Sequence, residues 1–235
     1  MMRVRRHSGF SLVEMAIVLV IVGLLVGGLV TPLQTQFEQH RISETQRVLD
    51  DAREALAGFA IRNGYLPCPA VSATNGLEDR SGAACTGGKR DGYLPWATLG
   101  VARADGWGRV LRYSVTPAFA NSQLLFGLGT PRDITIGTRD PQGNLVTASG
   151  INDVPAVVLS HGRNGLGAVS ETGVAVAGTG AANQDERTNA IGGIAFVTRP
   201  PGDARAPGGE FDDLVAWLSP NVLYSRMVAA GTLPH

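Results

Sequence analysis

The hydrophobic pattern along the chain changes period twice. From Met15 to Val30 no side chain is charged or strongly polar, and the uncharged stretch continues to Phe37. That is long enough for a bilayer-spanning helix, which takes about 20 residues. The apolar positions then recur with a helical period. Leu49, Ala52, Leu56 and Phe59 follow at spacings of three, four and three, and Val48 and Ala55 widen the same face. Glu38, Arg41, Glu44, Arg47, Asp51 and Glu54 mark the opposite side. This predicts an amphipathic helix with one buried stripe, stopped at Asn63-Gly64. A helix from about Phe10 to Arg62 would be roughly 80 Å long at about 1.5 Å per residue. Pro32 is expected to break or kink it, after a turn weakened by Gly27 and Gly28.

Beyond the helix the pattern shifts to strands. The segment Tyr65–Leu99 is rich in Gly, Pro, Ser and Ala. It is expected to be a long connecting loop with short helical turns, and loops of that length are functional or pinned. Arg109–Val115 alternates as a half-buried strand does, after a turn at Asp105-Gly106-Trp107-Gly108. Ile134–Ile136 and Leu145–Thr147 are shorter strands joined by a turn at Asp140–Asn144. Ala156–Ser160 and Gly193–Thr198 are continuous apolar runs that suit buried central strands. Phe211–Leu218 fits strand or helix. Ser219-Pro220 predicts a helix to about Ala230, with Pro at its first position. No internal repeat is visible. The fold class expected is α+β, one long N-terminal helix packed on an antiparallel β-sheet.

Composition narrows this picture. Charged residues make up 17% of the 235, below the usual fraction of about 25%, and the 31 glycines fit a folded, loop-rich domain. Removing Arg3, Arg5 and Arg6 from the 20 basic residues leaves 17 against 20 acidic, so the remainder is mildly acidic. That balance supplies no general electrostatic reason to bind nucleic acid. Arg80, Lys89, Arg90 and Arg103 are the candidate basic cluster, diluted by Asp79 and Asp91. Cys68 and Cys85 are expected to pair, since the N-terminus reads as an export signal and export leads to an oxidising compartment. The alternative is two free thiols. Without paired histidines nearby, two cysteines do not make a zinc site.

The N-terminus carries the most specific chemistry. Arg3, Arg5 and Arg6 precede Gly9-Phe10-Ser11-Leu12-Val13-Glu14 and the apolar run. An ordinary secretory signal places its small-residue cleavage site after the apolar stretch. Here Gly9 stands before it, so cleavage would retain the hydrophobic segment. The arginines predict a cytoplasmic N-terminus with the bulk of the chain outside. Glu14 is an ionisable group at the edge of an apolar helix, where such groups usually have partners. Cleavage after Gly9 would create an α-amine on Phe10, a natural partner on the same or a neighbouring chain.

These residues resemble the prepilin signature of type IV pilins and type II secretion pseudopilins. The resemblance implies cleavage after Gly9 by a prepilin peptidase, N-methylation of Phe10, and assembly through Glu14. It further implies a leader at 1–9, a transmembrane or filament-core half of the helix at 10–32, an amphipathic half at 33–63, and a globular periplasmic domain at 64–235 with its loop at 65–99. Partners would be the peptidase, other pilin or pseudopilin subunits, and the inner membrane before assembly. The run Asp105-Gly106-Trp107-Gly108-Arg109 through Tyr113 also resembles major pseudopilins, where a similar run opens the sheet.

His161–Gly165 resembles the loop leading into the calcium site of major pseudopilins. Asn183, Asp185, Glu186, Asp203, Glu210, Asp212 and Asp213 are candidate oxygen ligands. They lack EF-hand spacing, so solvated loop residues and no resident cofactor are the expectation. Asp212 and Asp213, as neighbours on a strand, are expected to face opposite sides. Ser160-His161 lacks triad geometry, and no G-x-S-x-G elbow exists. Trp96, Trp107 and Trp217 are expected to include a core anchor of the sheet. The sequence therefore reads as a non-enzymatic filament subunit, a minor pilin or pseudopilin. The alternative is a filament-tip module for DNA uptake or adhesion.

Overall fold

The computed structural model describes residues 11–233, with the side chains of residues 25–33 outside that description. Two compact units divide the chain, Met1–Arg41 and Ile42–His235. Helix α1 (Leu12–Asn63) contributes to both. It is uninterrupted at Pro32, so the expected break is absent. Proline removes one backbone donor, but leaving the helix within an apolar segment would orphan several more polar groups. In the first unit Leu12, Leu19 and Leu24 are more than two-thirds exposed. Among the described residues no helix is long and apolar enough to cross a membrane.

In the second unit α1 behaves as its pattern predicts. Leu49, Ala52, Leu56 and Phe59 are buried, joined by Ala57 and Ala60. The helix ends at Asn63, and Gly64 follows at φ +78, where its N–H caps the Ala60 carbonyl at 2.8 Å. Only glycine takes that conformation without strain.

The loop after α1 is more structured than expected. Strands β1 (Arg80–Ser81) and β2 (Ala84–Cys85) form a small hairpin, β3 (Asp91–Tyr93) follows, and α2 (Trp96–Leu99) is one turn. A Cys68–Cys85 disulfide closes the segment. Closing a loop of this size stabilises by roughly 3 kcal/mol. Leu66, Cys68 and Leu94 are fully buried, so the loop serves as one wall of the core.

The main sheet runs β3-β4-β7-β9, with β4 at Arg112–Val115, β7 at Ala156–Ser160 and β9 at Leu214–Trp217, all antiparallel. A second sheet runs β6-β5-β8, with β5 at Thr135–Arg139, β6 at Leu145–Thr147 and β8 at Ala195–Val197. Its β5–β8 pair is parallel. The fold is α+β, as expected. Strand β8 is an edge rather than a central strand, and it is apolar because Phe196 and Val197 are buried beneath it.

Every residue of β7 is buried. Ala156 and Val158 join the core shared with α1 and with α4 (Pro220–Ala229). Val157 and Leu159 join a second core with Ile134, Ile136 and Phe196. Both faces of the strand are covered, so its sequence is continuously apolar instead of alternating. The fully buried aromatics are Tyr113, Phe119, Phe126 and Phe211. The tryptophans are half-buried, Trp217 against the second core.

Candidate functional site

The start of α1 is a reciprocal cap. Glu14 N–H donates to Ser11 Oγ at 3.2 Å, and Ser11 N–H donates to Glu14 Oε2 at 3.0 Å. Two backbone donors at a helix start are thereby satisfied. The Ser-x-x-Glu spacing is itself a capping-box signal, a role for Glu14 distinct from pairing with an amine. Gly9 and Phe10 lie outside the described residues.

A second constellation gathers three carboxylates at one end of the main sheet. The chain leaves β7 through His161 and turns at Gly162, φ +57. A Cβ at Gly162 would lie 2.1 Å from the Asp212 carbonyl oxygen, so only glycine lets these segments meet. Helix α3 (Gln184–Ile191), which no hydrophobic period announces, buries Asp185, Glu186 and Asn189. Its inward face is polar, which is why the pattern does not show it. Asp212 and Asp213 come before β9 begins, so strand alternation does not apply to them. Carboxylate oxygens of Glu186, Asp212 and Asp213 lie within 4.8 Å of one another. This corrects the expectation that the two aspartates face apart.

The cluster is partly satisfied. Glu186 Oε1 accepts from Asn164 Nδ2 at 2.7 Å and from Asp212 N–H at 3.1 Å. Asp212 Oδ2 accepts from Asn164 N–H at 2.9 Å, and Asp213 Oδ2 from Asn189 Nδ2 at 2.8 Å. Asp212 Oδ1, Asp213 Oδ1 and both ring nitrogens of His161 are buried without a hydrogen bond. His161 Nδ1 lies 3.7 Å from Asp213 Oδ1. Among the described residues no Lys or Arg forms an ion pair with these three carboxylates. Of the other candidate ligands, Asp185 is bound by Arg139 and Arg199, and Asp203 caps its own turn at Arg205 N–H.

Burial raises the Glu186 carboxyl to about 7, helped by the charges of Asp213 and Asp212 and opposed by the Asn164 bond. Burial likewise raises Asp212 to about 6, with Asp213 and Glu210 adding to it and the Asn164 backbone bond and Arg163 opposing. Both acids therefore hold protons in the native state that the unfolded chain has released. Rising pH favours the unfolded state across that window. In chelated buffer, with the two shifts discounted to roughly half for solvent screening, stability is expected to fall by about 3 kcal/mol between about pH 4.5 and about pH 7.5. Glu186→Gln should flatten roughly half of that slope. Urea unfolding along the pH series checks this, and an unchanged slope in the variant would refute it.

The remaining candidates have structural roles. Asp105 Oδ1 accepts from Trp107 and Arg109 N–H at 2.9 and 3.0 Å, and its Oδ2 accepts from Ser160 Oγ at 2.5 Å. Gly106 N–H donates to Thr45 Oγ1 on α1 at 3.0 Å. The Asp-Gly-Trp-Gly turn thus ties the helix to β7, and Ser160 is committed to it. Arg80 pairs with Glu78, Lys89 with Asp79, and Arg90 with Asp133. Arg103 donates to the Ala73 and Glu171 carbonyls. These cations hold the loops together and do not form a free patch.

A family model described as the prokaryotic N-terminal methylation motif matches residues 4–30. No curated protein and no solved structure matches the chain. With that motif at the head of a long helix, and an α+β domain behind it, the chain is similar to type IV pilins and pseudopilins.

Proposed function

We propose that the chain is made as a prepilin, cleaved after Gly9, methylated on Phe10, and built into a filament as a minor pilin or pseudopilin. The observation that carries this reading is the methylation motif over residues 4–30, opening a helix whose apolar side chains are exposed in the single subunit. Exposed apolar surface of that extent calls for cover. An inner membrane supplies it before assembly, and neighbouring helices supply it afterwards. The N-terminus stays cytoplasmic and the domain periplasmic until the subunit enters the filament. In this reading the subunit does no catalysis and needs no cofactor for assembly, and the peptidase and other subunits are its partners. Glu14 exchanges its own-helix cap for the amine of a neighbour. The tip-module reading for DNA uptake draws no support from the basic loop residues, which are committed to internal bonds. Intact-mass measurement with and without prepilin peptidase tests the proposal. Loss of Met1–Gly9 and gain of one methyl on Phe10 are expected; an unprocessed chain would overturn it.

A further inference from the structure

We infer that His161, Glu186, Asp212 and Asp213 form a binding site for a first-row divalent transition-metal ion such as Zn²⁺ or Mn²⁺. The inference does not depend on the filament reading. Three carboxylates, from helix α3 and the approach to β9, converge, and the His161 imidazole at the end of β7 stands beside one of them. The carboxylates have oxygen atoms within 4.8 Å of one another. The imidazole is 1% exposed, hydrogen-bonded at neither nitrogen, with Nδ1 facing Asp213 Oδ1 at 3.7 Å. That spacing is too long for a hydrogen bond. Asp212 Oδ1 and Asp213 Oδ1 are also buried and unbonded. Burying carboxylates without a cation is costly. A shared metal ion meets that cost and uses the atoms left unbonded.

The donor set also selects the ion. Calcium, which the resemblance to major pseudopilins implies, takes six to eight oxygens. An imidazole nitrogen beside the carboxylates is a donor that calcium, which takes oxygen ligands, does not use, and it suits zinc or its neighbours. The outer residues needed to hold such ligands are present. Asn189 fixes Asp213 and is itself held by Val197 N–H and C=O, and Asn164 fixes Glu186. Supporting bonds of this kind orient metal ligands.

The test uses the full chain in detergent, stripped with chelator, with His7, His40 and His235 replaced by Gln. His161 is then the only one of the four histidines left. Equilibrium dialysis against ZnCl₂ or MnCl₂ should load one ion per chain and raise the unfolding temperature, whereas millimolar CaCl₂ should not. Cu²⁺ loaded in the same chain should show nitrogen hyperfine coupling, which only the His161 imidazole can supply among side chains of histidine type. Asp213→Asn and His161→Gln should each weaken Zn²⁺ binding at least tenfold. Asp212→Asn, at a half-exposed position, provides a variant with less risk to folding and should show the same loss. No stoichiometric ion in the parent chain, calcium binding that matches zinc, or undiminished zinc binding by folded Asp212→Asn would overturn the inference.

Discussion

Asp185→Ala is expected to lower the folding stability of the globular unit by about 3–5 kcal/mol, the usual cost of removing one partner from a buried ion pair. The Asp185 side chain is 2% exposed and holds two guanidinium groups. Arg139 Nη2 donates to its Oδ1 at 2.7 Å, and Arg199 Nε donates to Oδ2 at 2.8 Å. Arg199 is itself 6% exposed and sits over the Phe211 ring at 4.6 Å. The second sheet, α3 and the segment before β9 therefore meet on one carboxylate. Truncation removes the carboxylate that both guanidinium groups share and leaves Arg199 a largely buried cation without its ion-pair partner. Asp185→Asn keeps the shape but loses the charge, so it should fall between the two. Asp203→Ala, an exposed turn residue, should change stability by less than about 0.5 kcal/mol. Urea unfolding of the three variants decides the matter. An Asp185→Ala loss no larger than that of Asp203→Ala would refute the clamp.

The second large effect concerns assembly. Glu14→Gln should be processed normally and keep its helix start, yet fail to enter filaments. Gln serves at the third helical position of a capping box as Glu does, so the bond to Ser11 N–H survives. Only the negative charge is lost, and with it the attraction to a neighbour's α-amine. Ser11→Ala gives the reverse separation. It removes one cap bond, worth about 1 kcal/mol at the helix end, and leaves the carboxylate free for the amine. It should therefore assemble. Filament yield by shear and immunoblot, with peptidase cleavage as control, reads both variants. Normal assembly of Glu14→Gln would show that capping, and not charge, is what Glu14 supplies.

Several elements were legible because their information is local. The buried stripe of α1, its stop at Asn63-Gly64, the turn at Asp105–Gly108 and the helix after Ser219 all follow from short-range pattern, and the structure has them. The elements that escaped share a different property. Strand β3 reads Asp-Gly-Tyr and is a strand because β4 offers it an edge. Helix α3 reads as polar up to Ala190, since it packs through Asp185, Glu186 and Asn189 onto polar groups from distant segments. A periodicity of apolar residues cannot report burial that polar groups accomplish.

The sequence by itself carried the N-terminal methylation motif, because residues 9–14 and the apolar run after them form one contiguous signal. It also made Cys68 and Cys85, its only two cysteines, the candidate pair, and the structure joins them. Only the tertiary structure decided that Ser11 caps with Glu14, that the loop at 65–99 is part of the core, that Glu186, Asp212 and Asp213 converge, and that His161 lies beside Asp213. The physical reason is chain distance. Those four residues come from segments whose neighbours in sequence point elsewhere, and the packing of β7, α3 and β9 is what closes the space between them.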